Sequence, residues 1–218
     1  MFRLLSRWLR HKPDRNGSVA QLEQLRNDLD VDPTSFPLDD LRPALIPSPI
    51  LETGRWVGPY HYFPDLPVSL TWAFLRPQQT MMYLSTAAAD AFDSKGIDWR
   101  TTARLALARE FDTHPWTHEF HNERGDLEAV VLLHDDGLGP SRLIMYRRLA
   151  QQFPTGFIVF VPERSCALVM SAKASAEVRD SVEKAVHRCF TGAEVPMSER
   201  GYDHTLLREA LDRVGECA

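Results

Sequence analysis

The chain has 218 residues, of which 44% are hydrophobic and 25% are charged, and its formal net charge is −5. This length suits one large domain, or one domain with an arm, and we expect a single principal core. A negative net charge offers no general electrostatic attraction to nucleic acid, so the sequence predicts no nucleic-acid partner.

The cysteines and the apolar stretches indicate the cellular compartment of the protein. The chain has an odd number of cysteines, Cys166, Cys189 and Cys217, which are widely spaced and form no CxxC pair. This pattern argues against a disulfide framework and against a thiolate zinc site. Arginines interrupt the N-terminal apolar residues before they reach signal-peptide length, and no stretch reaches the roughly 20 apolar residues of a membrane span. We therefore expect a cytoplasmic protein.

The first ten residues predict a basic amphipathic helix. At about 100° per residue, Arg3, Arg7 and Arg10 fall opposite an apolar arc. Such a helix can fold back onto its own domain, lie on an anionic membrane surface at the periphery of the inner membrane, or occupy a groove in a partner protein. For a membrane or a partner protein, the predicted contact residues are Phe2, Leu5, Trp8 and Leu9.

The next segment predicts a linker. Ser18 and Gln21 form a capping box that opens a second helix with a narrow apolar stripe. Between residues 32 and 67 the chain carries more than half of its fifteen prolines, which predicts an extended or semi-rigid segment without regular structure. The alternative interpretation of Ile46–Ile50 is a polyproline II helix that serves as a peptide ligand.

The body of the chain alternates short apolar strands with helices, and it begins near Trp56. Strands are predicted over residues 68–75, 80–85, 117–122, 127–134, 157–161 and 166–170, and helices over residues 86–92, 99–111, 140–152, 176–190 and 203–214. This order gives strand-strand-helix units, which favour an antiparallel or mixed sheet with helices largely on one face. We therefore predict a single α+β domain over residues 51–218, preceded by a helical and proline-rich arm of residues 1–50.

Three short motifs lie between residues 64 and 171: Leu66-Pro-Val-Ser69 before a strand, Asp136-Gly-Leu-Gly-Pro-Ser-Arg142, and Val161-Pro-Glu-Arg164 before a strand. They resemble motifs of the YtpQ-like family of uncharacterised bacterial proteins. Where that family typically has Pro-Ser-Arg-Asp, this chain has Pro-Glu-Arg-Ser, so the acidic residue differs in position. The resemblance implies a cytosolic α+β protein and brings no activity to this chain.

A cluster of metal-ligand types lies at His114, His118, Glu119 and His121. Imidazole nitrogens and carboxylate oxygens are zinc ligands. In a strand, however, His118 and His121 point to opposite faces, and His114 precedes a proline that favours extended backbone. We prefer the interpretation of a polar strand entering a hairpin, and we keep a metal site formed by the three histidines as the alternative.

A second cluster surrounds a predicted helix start. Arg142 falls on the apolar side of that helix, so it needs an acidic partner, for which Asp135 and Asp136 are within reach. A structural ion pair is the preferred interpretation. The alternative is an anion pocket, in which Arg142 and the free amides of Gly139 and Ser141 receive a phosphate or carboxylate. No lysine follows at the spacing of a P-loop.

Nucleophilic catalysis has little support. Cys189 lies on an apolar helical stripe and Cys166 opens an apolar strand, which is typical of inert core thiols. His187 falls on the opposite face of the same helix as Cys189, and no Gly-x-Ser-x-Gly motif occurs. We assign no catalytic residue.

The sequence favours three functions, in order of preference. The first is a non-enzymatic protein-interaction module of accessory or immunity type. The second is a small-ligand (anion) binding protein or enzyme with a pocket near Asp135, Asp136 and Arg142. The third is a peripheral membrane protein held by the N-terminal helix. An enzyme is therefore not the preferred interpretation, and no cofactor is predicted.

Overall fold

The computed structural model describes residues 36–52, 56–76 and 80–215. The described residues from Pro37 to Gly215 belong to the second of two units of the chain. The strands of the second unit are β1 (Leu41–Pro47), β2 (His61–Tyr62), β3 (Val68–Arg76), β4 (Thr80–Tyr83), β5 (His118–His121), β6 (Leu127–Leu133), β7 (Phe157–Glu163), β8 (Cys166–Ser171) and β9 (Gly201–Asp203). Its α-helices are α1 (Pro49–Glu52), α2 (Thr86–Ser94), α3 (Trp99–Thr113), α4 (Tyr146–Gln152), α5 (Ala176–Gly192) and α6 (His204–Arg213). Short 3-10 helices cover Leu38–Asp40 and Pro140–Ile144.

The helix starts follow from side-chain capping. Ser85 accepts a hydrogen bond from the Ala88 amide at the start of α2, and Asp98 does the same for Thr101 at the start of α3. Ser175 caps α5 in the same way. Each cap satisfies an amide that has no partner within its helix, so these starts are encoded locally.

The strands form two antiparallel sheets. In the first sheet, β3 is central: β1 pairs with it on one side, while β2 and β4 pair with different parts of its other side. The second sheet has the order β5-β6-β8-β7-β9. The α+β class is therefore confirmed, with two antiparallel sheets in place of one. Among the described residues, no helix is both long and apolar enough to cross a bilayer.

Strand β1 corrects one expectation. The stretch from 32 to 67 was expected to lack regular structure, but Leu41–Pro47 forms a full strand in register with β3. The amide of Leu45 turns away from β3 and donates to Ser141 Oγ at 3.0 Å. Because alternate amides of a strand point to the same edge, Pro43 and Pro47 also occupy outward positions, where no ladder hydrogen bond is lost. Residues 37–50, expected in the arm, thus belong to the same unit as the sheets.

Replacing Ser141 with alanine should lower the free energy of unfolding by about 1–2 kcal/mol, because the Leu45 amide would lose its acceptor inside the protein. Both residues are buried. Urea unfolding measures the change, with the exposed Ser94→Ala as the control, for which less than about 0.5 kcal/mol is expected. Equal costs for the two variants would contradict the role of Ser141 at the β1 edge.

The core under the second sheet is formed by one face of that sheet and by α5. The sheet contributes apolar side chains from β6, β7 and β8, and α5 contributes its stripe of Val178, Val182, Ala185 and Val186. Every residue of β8 is buried, as its central position requires. Helix α5 is the element that the apolar stripe predicted, and it runs two residues beyond the predicted end.

The helix predicted over residues 140–152 is divided. Pro140–Ile144 is a 3-10 helix, and α4 begins only at Tyr146. Met145 between them has a ψ of 41°, which lies outside the α-helical region. All five residues of the 3-10 helix are buried. The burial of this whole turn, rather than of one stripe, is a tertiary effect that a helical period does not reveal.

Candidate functional site

A cleft of about 470 Å³ lies where β1, α3 and the loop after β6 meet; we call it the α3 cleft. Its ionisable lining side chains are Arg42, Arg109, Glu110, His114, His134, Asp135, Asp136 and Arg142. Three arginines therefore face three carboxylates and two histidines. The cleft brings together residues from three distant parts of the chain.

Arg142 and Asp136 form the deepest ion pair of the cleft. Arg142 Nη2 lies 2.7 Å from Asp136 Oδ2, and Nη1 lies 3.2 Å from Oδ1. Arg142 is 2% exposed, and Asp136 Oδ1 also accepts from the Leu138 amide. Burial alone would raise the pKa of Asp136, but the hydrogen bonds and the charge of Arg142 outweigh it and hold the pKa below its usual value. The acidic partner expected for Arg142 is thus Asp136, while Asp135 is exposed at the rim.

Gly139 and Ser141 lie away from the cleft lining. A Cβ atom at Gly139 would overlap the carbonyl oxygens of Leu132 and Ser165, so this glycine is a packing requirement. Ser141 is 1% exposed and its Oγ is engaged by β1. Of the five residues proposed for an anion pocket, the structure therefore brings together Asp135, Asp136 and Arg142 in the cleft, and the other two do not line it.

His134 is held neutral at the wall of the cleft. Burial lowers its pKa, and the positive charge of Arg142 lowers the pKa further. The negative charge of Asp136 acts in the opposite direction, as does the Pro115 backbone, which is a hydrogen-bond acceptor for the ring because proline has no N–H to donate. Nε2 of His134 is buried and has no hydrogen-bond partner. Pro115 therefore favours the tautomer with its proton on Nδ1, which leaves Nε2 as an acceptor.

Glu110 of α3 presents a second unsatisfied acceptor. Its Oε1 accepts from Arg42 Nε at 2.9 Å and from Arg42 Nη2 at 2.7 Å. Both donors reach the same oxygen, and Oε2 is buried without a partner. Arg42 also donates to the carbonyls of Asp39 and Leu41, which fixes the position of its guanidinium group. The fork of Arg42 thus anchors one oxygen of Glu110 and leaves the other unsatisfied.

Buried polar atoms without a partner concentrate around this cleft. Among the described side chains they are Glu110 Oε2, His134 Nε2, Arg142 Nε and the indole nitrogens of Trp56 and Trp72. The first three belong to residues that line the α3 cleft. Because buried polar groups are nearly always hydrogen-bonded in native proteins, water or a bound molecule is needed to supply the missing bonds at these atoms. Chemically, the residues around the cleft carry two unpaired acceptors and one unpaired donor.

Sequence reasoning missed Arg42 and Glu110 as site residues. Arg42 lies in the proline-rich stretch and Glu110 lies in a predicted helix, 68 positions further along the chain. No local pattern links them. His134 was recognised only as part of a turn, although its position at the end of an apolar strand, next to two aspartates, was a usable signal.

The three histidines of the metal alternative do not converge. His114 lines the α3 cleft, whereas His118 and His121 belong to β5. His121 contacts Glu119 Oε2 at 2.9 Å and the Gly125 carbonyl at 3.0 Å, and these contacts raise its pKa. Within residues 36–52, 56–76 and 80–215, no group of three or more His, Cys, Asp or Glu side chains could hold a metal ion. The described residues therefore provide no cluster of ligands for a metal site at His114, His118 and His121, and this alternative stays a prediction.

The predicted membrane or partner contacts of the N-terminal helix lie outside the described residues. They are Phe2, Leu5, Trp8 and Leu9. Their contact with a membrane or a protein partner stays a prediction, as does a position at the periphery of the inner membrane.

Comparison with family models, with curated proteins and with solved structures finds no match to this chain. The resemblance to the YtpQ-like family accordingly stays a prediction, and the conclusions about the site depend on its own geometry.

Proposed function

We propose that this protein binds a small zwitterionic molecule, of the size and charge pattern of a free amino acid, in the α3 cleft. The observation that carries the proposal is the pair of buried acceptors without partners, Glu110 Oε2 and His134 Nε2, in residues that line one cleft. A cleft volume of about 470 Å³ falls within the range of small-molecule sites.

The inner wall selects for hydrogen-bond donors. Glu110 Oε2 and His134 Nε2 are both acceptors, and Glu110 carries a negative charge. An ammonium group supplies several N–H donors and a compensating charge, so its chemistry matches two acceptors, one of which belongs to a carboxylate. A purely anionic ligand would leave these acceptors unsatisfied and would meet the carboxylate of Glu110. A zwitterion therefore fits the cleft better than the simple anion that the sequence suggests.

The rim supplies the complementary positive charge. The side chain of Arg109 is 64% exposed, and its contact with Asp39 Oδ1 is long, at 3.3 Å. An exposed pair of this kind contributes little to stability, so Arg109 can turn toward a carboxylate at little cost. Its planar fork suits bidentate carboxylate recognition. The cleft thus combines an acceptor-rich wall with a guanidinium group at its entrance.

The test is a panel of free amino acids, with the matching amines and the matching carboxylates as controls that carry one charge each. Zwitterions should raise the midpoint of thermal unfolding more than either control. Only they carry both an ammonium group for Glu110 and His134 and a carboxylate for Arg109. Isothermal titration calorimetry then gives the dissociation constant. A panel in which no zwitterion binds, or in which carboxylates bind equally well, would overturn the proposed ligand class.

The replacement His134→Asn distinguishes the role of Nε2 in binding from that of Nδ1. The asparagine amide can still donate to Pro115 but has no group at the position of Nε2. We expect the dissociation constant for the best zwitterion to rise about tenfold, which corresponds to one lost hydrogen bond. His134→Gln, whose amide reaches further, should bind better than His134→Asn, and the exposed His187→Asn should bind as well as the wild type. An unchanged dissociation constant in His134→Asn would exclude Nε2 from the site.

Binding should also weaken at low pH. The pKa of His134 is lowered, so the ring stays neutral at neutral pH and gains a proton only below its ordinary value of about 6.5. Protonation converts Nε2 from an acceptor to a donor, which repels an ammonium group. Titration calorimetry between pH 7.5 and 5 checks this, and affinity that rises as the pH falls would contradict the assignment.

A further inference from the structure

Two cysteines far apart in the sequence have their sulfur atoms in contact. Cys166 opens β8, and Cys189 lies in the last turn of α5, which packs across β8. Their Sγ atoms are 3.9 Å apart. Neither residue is in the α3 cleft, so this feature is independent of the proposed function.

The two thiols differ in access and in acidity. Cys166 is fully buried, whereas Cys189 is only partly buried. The hydrogen bond between the two thiols raises the pKa of Cys166, and burial raises that pKa further. The same hydrogen bond lowers the pKa of Cys189 and outweighs burial and the charge of Glu163, which raise it; the charge of Arg188 makes a smaller lowering contribution. Cys189 is therefore both the more accessible thiol and the one more readily converted to thiolate.

We propose that Cys189 and Cys166 form a reversible redox pair, in which Cys189 reacts with a small hydroperoxide and Cys166 closes an intramolecular disulfide. In the first step the Cys189 sulfur attacks the terminal peroxide oxygen, which forms a sulfenic acid and releases an alcohol, or water from hydrogen peroxide. In the second step the Cys166 sulfur attacks the Cys189 sulfur and displaces water. The two thiols lose two electrons and two protons in total, and the peroxide is reduced by two electrons.

The geometry permits this closure with a local movement. A disulfide requires a sulfur separation of about 2.05 Å, so the two atoms must approach by about 2 Å. Cys189 lies three residues before the end of α5 at Gly192, and terminal helical turns adjust more readily than central ones. Cys166 is held in the central strand of its sheet, so the end of α5 is the part that must move. Reduction by a dithiol restores the thiol pair.

The experiment treats the reduced full-length protein with hydrogen peroxide and counts free thiols after denaturation. The three cysteines give three thiols before treatment, and we expect the loss of two of them. Intact mass should fall by two hydrogen atoms, and peptide mapping should identify a link between Cys166 and Cys189. Dithiothreitol should restore all the thiols. A link that involves Cys217, or equal oxidation rates at all three cysteines, would overturn the proposal.

Variants distinguish the two roles. In Cys166→Ala the sulfenic acid on Cys189 has no partner thiol, so labelling of Cys189 by dimedone should increase. In Cys189→Ala, Cys166 should stay reduced, and Cys217→Ser should form the disulfide at the wild-type rate. Circular dichroism checks that each variant folds. If Cys166→Ala does not fold, the peptide map of Cys217→Ser decides: the Cys166–Cys189 link supports the proposal, and its absence after peroxide treatment overturns it.

Discussion

Replacing Asp136 with asparagine should lower the free energy of unfolding by about 3 kcal/mol, because it leaves the guanidinium group of Arg142 buried without a counter-charge. The side chain of Arg142 is 3% exposed, so it cannot regain its hydration without disrupting the loop. The side chain of Asp136 is 26% exposed. Arg142→Met should therefore lower the free energy of unfolding less than Asp136→Asn does, because the carboxylate of Asp136 that remains can reach water.

Urea unfolding at neutral pH measures these differences, and the exposed neighbour Asp135→Asn is the matched control. The pH dependence provides a second test. The pKa of Asp136 is depressed in the folded state, so its contribution is present above the unfolded pKa of about 3.9 and is lost as the pH falls through the lower folded value. Wild type and Asp136→Asn should accordingly converge in stability in strong acid. Equal costs for Asp135→Asn and Asp136→Asn at neutral pH would contradict the ion-pair interpretation.

Replacing Gly139 with alanine should lower the free energy of unfolding by about 3 kcal/mol or more, because the added methyl group would overlap two backbone carbonyl oxygens. Those oxygens belong to Leu132, in β6, and Ser165, in the turn between β7 and β8. Both are main-chain atoms, so neither can move aside as a flexible side chain would. Gly139 itself has ordinary helical angles, with φ of −45°, so the expected loss is steric and not conformational.

Gly125→Ala separates these two causes. Gly125 lies in the turn between β5 and β6, has a φ of 84° and has no atom within 4 Å of an added Cβ. Its replacement should cost only about 1 kcal/mol, from backbone strain alone. Thermal and urea unfolding compare the two variants directly. If Gly139→Ala were no more destabilising than Gly125→Ala, the close approach of the two carbonyls would not constrain the loop that carries Asp135 and Asp136.

Several elements were predictable because their signal lies in their own residues. Helix α5 has a serine cap and an apolar stripe that recurs at the helical period, and β8 is a short apolar run preceded by a turn. Alternation and capping depend on neighbours within a few positions, so a sequence is enough to detect them. The expectation that Arg142 needs an acidic partner was also local, since Asp136 lies six positions away.

Strand β1 was missed because its prolines indicate irregular structure when they are considered alone. Only the assembled sheet shows that Pro43 and Pro47 take outward positions at an edge, where a missing amide costs nothing. The two residues of β2 and the three of β9 were missed for a related reason. Such short strands carry too few residues for alternation to be detectable, and pairing with β3 or β7 stabilises them.

Local patterns along the chain were thus enough to predict the α+β class, most strands and helices, and the need of Arg142 for a carboxylate. The α3 cleft and the thiol pair arise only when the chain folds, because both depend on side chains that are distant along the chain. Arg42 and Glu110 are 68 positions apart, and Cys166 and Cys189 are 23 apart. Which of many arginines meets which carboxylate depends on how a strand, a helix and a loop pack, and packing energy is shared over the whole core rather than encoded near either residue.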